Sequence, residues 1–327
     1  MTIQNSSLLP DYDAALTGCA FYPQAQAGYL RIGGPDRQSF LQRQSTNDLD
    51  LLSPEGSVTT VLTSAAARIL DVLTLISEPE AIGAITLPGL AAATNRFLQS
   101  RIFFMDKVTV EDVSGKFAQM DLIGPKAEQM LLRLGLERAP AESELAVGYI
   151  SGVGARVLRQ QHGLGYRLLV AAKEAEKIMA DLAESGAVQL APEHYEVIRV
   201  EAGVPAAGHE LTEDYTPLET GLAWAISKDK GCYTGQEVIA RQITYDKITR
   251  QMVGLKLDGE AQAGDRVWTL EDKKSAGNIT STASSPRFGQ IALTVIKRSH
   301  HEPGTKVLIG ELESAIHATI SRLPFQE

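Results

Sequence analysis

The stretch Lys228-Asp229-Lys230-Gly231-Cys232-Tyr233-Thr234-Gly235-Gln236-Glu237 holds the most specific chemistry in the chain. Thr234 and Glu237 have the spacing of a capping box, and the apolar run Val238-Ile239-Ala240 follows them. The spacing predicts a helix starting at about Gly235, with Cys232 just ahead of it. A helix N-terminus carries partial positive charge, and Lys228 and Lys230 add to it. Both effects favour thiolate over thiol, which makes Cys232 a candidate reactive cysteine. A small thiol packed into a turn is the competing reading.

Two carboxylates come next. Glu201 lies three and four residues after Ile198 and Val197 in a helix predicted over 194–202, so it shares a face with apolar side chains. A carboxylate there needs a partner or a proton. A buried ion pair with an arginine and a ligand contact both meet that need. Asp71 interrupts Ile69-Leu70-Asp71-Val72-Leu73-Thr74-Leu75-Ile76, whose two faces are mostly apolar, as in a buried strand. An acid inside it either lines a pocket or ends the buried section, and Ser64 and Arg68 supply a polar edge nearby. Trp224 and Tyr233 flank the cysteine segment; stacking on a flat heterocycle and core packing account for them equally. His300-His301 lacks further ligands at useful spacing and reads as a solvated turn. The glycines near Gly33 and Gly163 lack the Lys-Ser or Lys-Thr of a phosphate loop. No Gly-x-Ser-x-Gly elbow occurs.

These residues need elements to hold them. The first 20 residues read as loosely ordered. A strand is expected over 29–32, a turn at Gly33-Gly34-Pro35, and a helix capped by Asp36 through Phe40 and Leu41. Paired strands follow over 58–64 and 69–77, then a helix with Pro88 in its first turn running to about Arg101. Strands over 107–113 and 117–123 precede a helix opened by Pro125. This run predicts a compact α+β unit with helices on one face. A second α+β stretch has strands over 149–160 and 166–171, then helices over 173–185 and 194–202. Gly203 and Pro205 end the last helix. Beyond Arg250, six short strands are separated by Gly, Pro, Asp and Ser. That texture predicts a small antiparallel β-barrel or sandwich.

The 327 residues exceed one ordinary core, so two or three domains are expected. With 44% apolar and 22% charged residues the chain is not disordered. No run reaches the roughly 18 apolar residues of a membrane-spanning helix. The polar, acidic residues 1–13 lack the order of a secretory signal or transit peptide. A net charge of −9 argues against a broad nucleic-acid surface, while a local basic pocket stays compatible. Two distant cysteines, Cys19 and Cys232, form neither a disulfide framework nor a four-thiolate metal site. A reduced cytoplasmic protein without a membrane partner is the expectation.

The segment Lys230-Gly231-Cys232-Tyr233-Thr234-Gly235-Gln236-Glu237 resembles the signature of the YgfZ family, folate-binding proteins of iron–sulfur cluster assembly and repair, and of their mitochondrial relatives. Phe40-Leu41-Gln42 with Thr46-Asn47-Asp48, Ile198-Arg199-Val200-Glu201-Ala202-Gly203, Pro217-Leu218-Glu219, Ser285-Pro286 and Leu323-Pro324-Phe325 look like the same family in the same order. The likeness spans roughly residues 28 to 325. That family is similar to the glycine-cleavage T protein, a tetrahydrofolate-dependent aminomethyltransferase.

The fold so implied is α+β, with three subdomains around a central folate cavity and a C-terminal antiparallel β-barrel. The matching division is 1–50 with 140–248 as the folate-binding part carrying the cysteine signature, 51–139 as a ferredoxin-like part, and 249–327 as the barrel. The resemblance places Glu201 where the T-protein pattern has the acid that binds the pterin; a carboxylate accepts hydrogen bonds from the 2-amino group and N3. Asp71 resembles the first of two neighbouring T-protein acids, and Trp224 and Arg241 are further implied cofactor contacts. The second acid is Val72 here, and the T protein's preceding glycine pair is Ala67-Arg68. These departures weigh against aminomethyl transfer, and the T protein lacks the cysteine octapeptide.

The resemblance therefore implies a tetrahydrofolate-binding accessory protein serving iron–sulfur client enzymes or assembly proteins, with Cys232 as the working thiol. Cys232 would form a transient mixed disulfide or briefly hold an iron or sulfur species; one thiol holds no stable cluster. The competing class is a folate-dependent aminomethyl or one-carbon transferase with Asp71 as acid or base. Folate-assisted tRNA modification is disfavoured by the acidic balance.

Overall fold

The computed structural model describes residues 9–160 and 164–326. Gly163 and residues 1–8, which entered the sequence readings above, lie outside the described residues. The chain begins with α1 (Pro10–Thr17), β1 (Ala20–Pro23), β2 (Gly28–Gly33), α2 (Arg37–Gln44), β3 (Ser57–Thr63), β4 (Ile69–Glu78) and β5 (Ala81–Thr86). It continues through α3 (Ala91–Gln99), β6 (Thr109–Asp112), β7 (Phe117–Ile123), α4 (Ala127–Arg133), β8 (Leu145–Ile150), β9 (Val153–Arg159) and β10 (Tyr166–Ala171). Next come α5 (Ala175–Glu184), β11 (Val188–Gln189), α6 (Pro192–Ala202) and α7 (Gln236–Thr244). The last six strands are β12 (Arg250–Leu257), β13 (Arg266–Thr269), β14 (Ser275–Ser285), β15 (Gly289–Lys297), β16 (Lys306–Ile309) and β17 (Ile316–Ser321).

Strand order is β3-β4-β5-β2-β6 in one sheet and β11-β1-β7-β10-β9-β8 in a second, while β12-β15-β14-β13-β16-β17 closes into a barrel. The fold is the α+β class with a C-terminal antiparallel barrel. Two compact units divide the chain: 1–42, 48–59 and 73–195 form the first, and 43–47, 60–72 and 196–327 the second.

In the first unit, Phe21, Leu122 and Leu168 of the six-stranded sheet pack with Leu131 of α4 and Ile178 and Leu182 of α5. A second apolar cluster takes Tyr29, Ile76 and Ile85 from the five-stranded sheet and Leu145, Leu158 and Leu169 from the other. The buried carboxylate of Asp121 on β7 accepts from Arg167 at 2.7 and 2.9 Å, from the Tyr195 hydroxyl at 3.0 Å and from Gln24 at 2.6 Å. Such pairing is what makes a buried charge tolerable.

Several sequence expectations need correction. Residues 10–17 form a helix rather than loose chain: Pro10 opens it, Tyr12 and Ala15 are buried, and Asp11 accepts the Ala191 N–H at 3.0 Å. The stretch 149–160 is a hairpin, not one strand, because Ser151 and Gly152 adopt positive φ between β8 and β9. Strands β1 and β5 were not expected. All six residues of β5 are buried, so it shows none of the alternation that marks a half-exposed strand.

In the second unit, alternate strand residues such as Val253, Leu255, Val267, Ile279, Ile296 and Ile320 fill the barrel. Helix α6 turns its buried Val197, Ile198, Val200 and Glu201 inward. It ends on Gly203, whose φ of +68° lets the Val204 N–H reach the Arg199 carbonyl at 3.0 Å. A Cβ at Gly203 would lie 2.8 Å from the Leu323 Cβ. Gly203→Ala is expected to lose about 1–2 kcal/mol from the left-handed backbone, with the Leu323 clash adding to it. Thermal and denaturant melts check this; an unchanged melt would contradict the assigned helix end.

Candidate functional site

The cysteine segment is held at both ends. Lys230 is 8% exposed, and its Nζ donates to the carbonyls of Ser45 at 2.8 Å and Asn47 at 2.6 Å. The same ammonium stands 5.3 Å from the Tyr233 ring centroid. Between those two carbonyls, the Thr46 hydroxyl donates to the Ala225 carbonyl at 2.7 Å, and the Ser227 N–H donates to the Thr46 carbonyl at 3.0 Å. The Thr46-Asn47 motif and the cysteine motif are thus mutual partners. Tyr233 is buried with Ala67, Ile226 and Ile239, and that burial pushes its hydroxyl up to about 12. Core packing is therefore what Tyr233 does. On the far side, the Thr63 hydroxyl donates to the Thr234 carbonyl at 2.7 Å. Gly231 and Cys232, between the two anchors, are exposed.

Helix α7 begins at Gln236, close to the expected start, but the capping box does not form. Gly235 is the N-cap at φ +84°, with no side-chain cap bond, whereas a box needs an extended Ser or Thr there. The Lys230 charge is also committed elsewhere, to two carbonyls and a ring, instead of standing loose beside the thiol. Lys228, Glu237 and Arg241 are exposed, and Gln236 is half-buried.

Glu201 is 6% exposed, and its Oε1 accepts from the Ser285 hydroxyl at 2.6 Å. Arg287 Nη1 lies 3.9 Å from the other carboxylate oxygen. The Ser285 oxygen in turn accepts the backbone N–H groups of Arg287 and Phe288, at 3.1 and 2.9 Å. The Phe325 N–H donates to the Glu201 carbonyl at 2.9 Å. Three motifs far apart in sequence therefore meet at Glu201. Ser285 and Phe325 belong to sequence motifs, but their service to this acid is not legible there, because a contact 84 residues away leaves no local pattern.

Asp71 is fully buried on β4, and its Oδ1 accepts the Val72 N–H at 2.8 Å. The start of β4 is fixed by the Ile69 N–H, which donates to the Tyr215 carbonyl at 3.1 Å. Glu219, of Pro217-Leu218-Glu219, accepts from Arg250 at 2.9 and 3.1 Å and from the Thr216 N–H at 2.9 Å. Arg68 Nη1 stands 3.8 Å from it. That buried acid is a structural hub that spacing alone did not reveal. Trp224 lies 38% exposed in the short turn Ala223–Ala225.

Chemically, the arrangement offers an exposed thiol on a pinned loop and a buried carboxylate at a barrel edge. The Glu201 carboxylate accepts from Ser285, and an acceptor of this kind fits the paired N–H groups of a pterin. Among the described residues, no three His, Cys, Asp or Glu side chains group to hold a metal, and no helix is long and apolar enough to cross a membrane.

The GCVT N-terminal domain matches residues 6–230, and the glycine-cleavage T-protein C-terminal barrel domain matches residues 250–326. The chain belongs to the glycine-cleavage T-protein family. It is 30% identical over 322 residues to a protein of Arabidopsis thaliana named as a chloroplastic transferase, covering 96% of this chain and 72% of that one. It is 25% identical over 343 residues to an aminomethyltransferase of Oceanobacillus iheyensis, covering 99% and 91%. The crystal structure of glycine cleavage system aminomethyltransferase T from Bartonella henselae superimposes with a TM-score of 0.85 at 22% identity, over 98% of this chain and 89% of that one. That likeness is one of fold.

Ser285→Ala removes a donor to Glu201 and should destabilise the protein by about 1–3 kcal/mol, the cost of a buried acceptor losing a partner. Denaturant unfolding measures it; a loss below a few tenths would show that the bond carries no weight.

Proposed function

We propose that this chain is a YgfZ-type member of its family: a tetrahydrofolate-binding accessory protein for assembly or repair of iron–sulfur enzymes, with Cys232 as its working thiol. The observation that carries the reading is the pinned cysteine segment. Lys230 before the cysteine and Tyr233 and Thr234 after it are buried or bonded, yet Cys232 itself is exposed. A packing thiol would be buried, as Cys19 is. Glu201 holds the pterin through its carboxylate, and Trp224, Arg241 and Asp71 complete the folate contacts. Bound folate supplies one-carbon chemistry or a redox-active ring; the chain's own residues bind and orient it. The proposal keeps the three-part division stated above and a cytoplasmic location, although the Arabidopsis relative is chloroplastic.

Aminomethyl transfer to folate is the second reading, favoured by the family match and the 25% identical aminomethyltransferase. Val72 in place of a second acid weighs against it. The substitution of Ala67 for a glycine does not, since Ala67 keeps the left-handed φ of +58° that a glycine would adopt freely.

Cys232→Ser should abolish complementation of an iron–sulfur enzyme defect in cells while leaving the melt and folate affinity unchanged. Full complementation would remove the thiol from the mechanism. For the folate half, Glu201→Gln keeps size but loses charge and one acceptor. Calorimetry with tetrahydrofolate should show binding weaker by about 1.5–3 kcal/mol; equal affinity would take Glu201 out of the site.

A further inference from the structure

The turn joining β3 to β4 contains an alanine in the left-handed region, Ala67 at φ +58°. That region disfavours any L side chain, and glycine adopts it freely. Ala67 is nevertheless fully buried, in the apolar cluster of Ile226, Tyr233 and Ile239. Its methyl adds to the cluster that also holds Tyr233, the residue after the exposed cysteine.

The turn is closed by its own bonds. The Ser64 N–H donates to the Arg68 carbonyl and the Ala67 N–H to the Ser64 carbonyl, both at 2.9 Å, and the Arg68 N–H reaches the Ser64 hydroxyl at 3.1 Å. Fully buried Thr63, at the end of β3, donates its hydroxyl to the Thr234 carbonyl. Gly235 lies so near that a Cβ there would stand 2.7 Å from both the Ser64 carbonyl and the Thr63 hydroxyl, and 3.2 Å from the Ala67 Cα. One rigid turn therefore touches each of the three residues that follow Cys232.

We propose that Thr63 and Ala67 are positioning residues for Cys232: the β3–β4 turn fixes the backbone after the thiol so that the sulfur is presented in one orientation to an incoming reaction partner. The proposal rests on the reading of Cys232 as the working thiol. The physical gain is entropic. A loop ordered during folding loses little freedom when a second molecule docks on it, so more of the interaction is available for the reacting geometry. Neither residue touches the reacting atom, and both act through Tyr233, Thr234 and Gly235.

The test is the rate of Cys232 alkylation by iodoacetamide in the full chain, native and in urea, resolved from Cys19 by peptide mass spectrometry. The native-to-unfolded ratio reports what the fold imposes on the thiol. In the parent chain it should differ from one by about threefold or more. Thr63→Val, which keeps the shape but loses the donor, should move the ratio toward one. Thr63→Ser, which restores a hydroxyl, should return it to the parent value, a recovery that a general packing defect would not show. Ala67→Gly is the second variant. Glycine is at ease at this φ, so the chain should fold, and the ratio should again move toward one. A parent ratio of one, or an unchanged ratio in both Thr63→Val and Ala67→Gly, overturns the proposal. Should Thr63→Val fail to fold, Ala67→Gly decides alone. Failure of the functional reading shows separately, as complementation by Cys232→Ser with the alkylation results intact.

Discussion

The ammonium of Lys230 is buried with two backbone carbonyls as its acceptors, and the cysteine segment takes its shape from that requirement. Desolvating a cation costs several kcal/mol unless donors and acceptors match. Ser45 and Asn47 supply the match only because Thr46 between them is itself tied to Ala225, Val61 and Ser227. The chain must therefore bring residues 45–47 beside residue 230 before the charge can be buried. Once it has, the chain is fixed ahead of Gly231 and Cys232, and the Thr63 bond to Thr234 fixes it on the far side. The exposed sulfur follows from two anchors with two short residues between them.

Glu201 obeys the same physics with opposite sign. Its carboxylate sits on the apolar face of α6, where an unpartnered charge would be costly. The Ser285 hydroxyl and the nearby Arg287 make it tolerable, and Phe325 holds its backbone. The barrel thereby supplies the support for an acid carried by a helix outside it. The two competing readings of Glu201, structural pair and ligand contact, are not exclusive, because a carboxylate oxygen can accept more than one hydrogen bond.

Much of the fold was legible because punctuation and alternation are local. All six barrel strands were marked by Gly, Pro, Asp and Ser breaks, and β7 was read with its observed bounds. The misses have local causes as well. Strand β5 is buried throughout and does not alternate. Strand β1 is four residues long and pairs with partners about 100 and 168 residues away, such as Tyr22 with Asp121 and Ala20 with Val188. Helix α1 is short and acidic, and its buried Tyr12 gives almost no apolar stripe. The site was legible as residue types but not as geometry. Cys232 and Glu201 stood out by their neighbours in sequence. The partners that define them, Ser45, Asn47, Thr63 and Ser285, come from distant strands and loops, and the expected capping box gave way to a left-handed Gly235, where a Cβ would crowd Ser64 and Ala67.

Family membership leaves two chemistries on one scaffold, and they part over what the chain does with an aminomethyl group. The most direct measurement is glycine-dependent transfer of a one-carbon unit to tetrahydrofolate, using the purified chain with the remaining purified components of a glycine-cleavage system and an authentic T protein as reference. The account built on the pinned Cys232 segment and on Val72 predicts no turnover above the reaction lacking any T protein. Turnover at the reference rate would contradict it and make the chain an aminomethyltransferase.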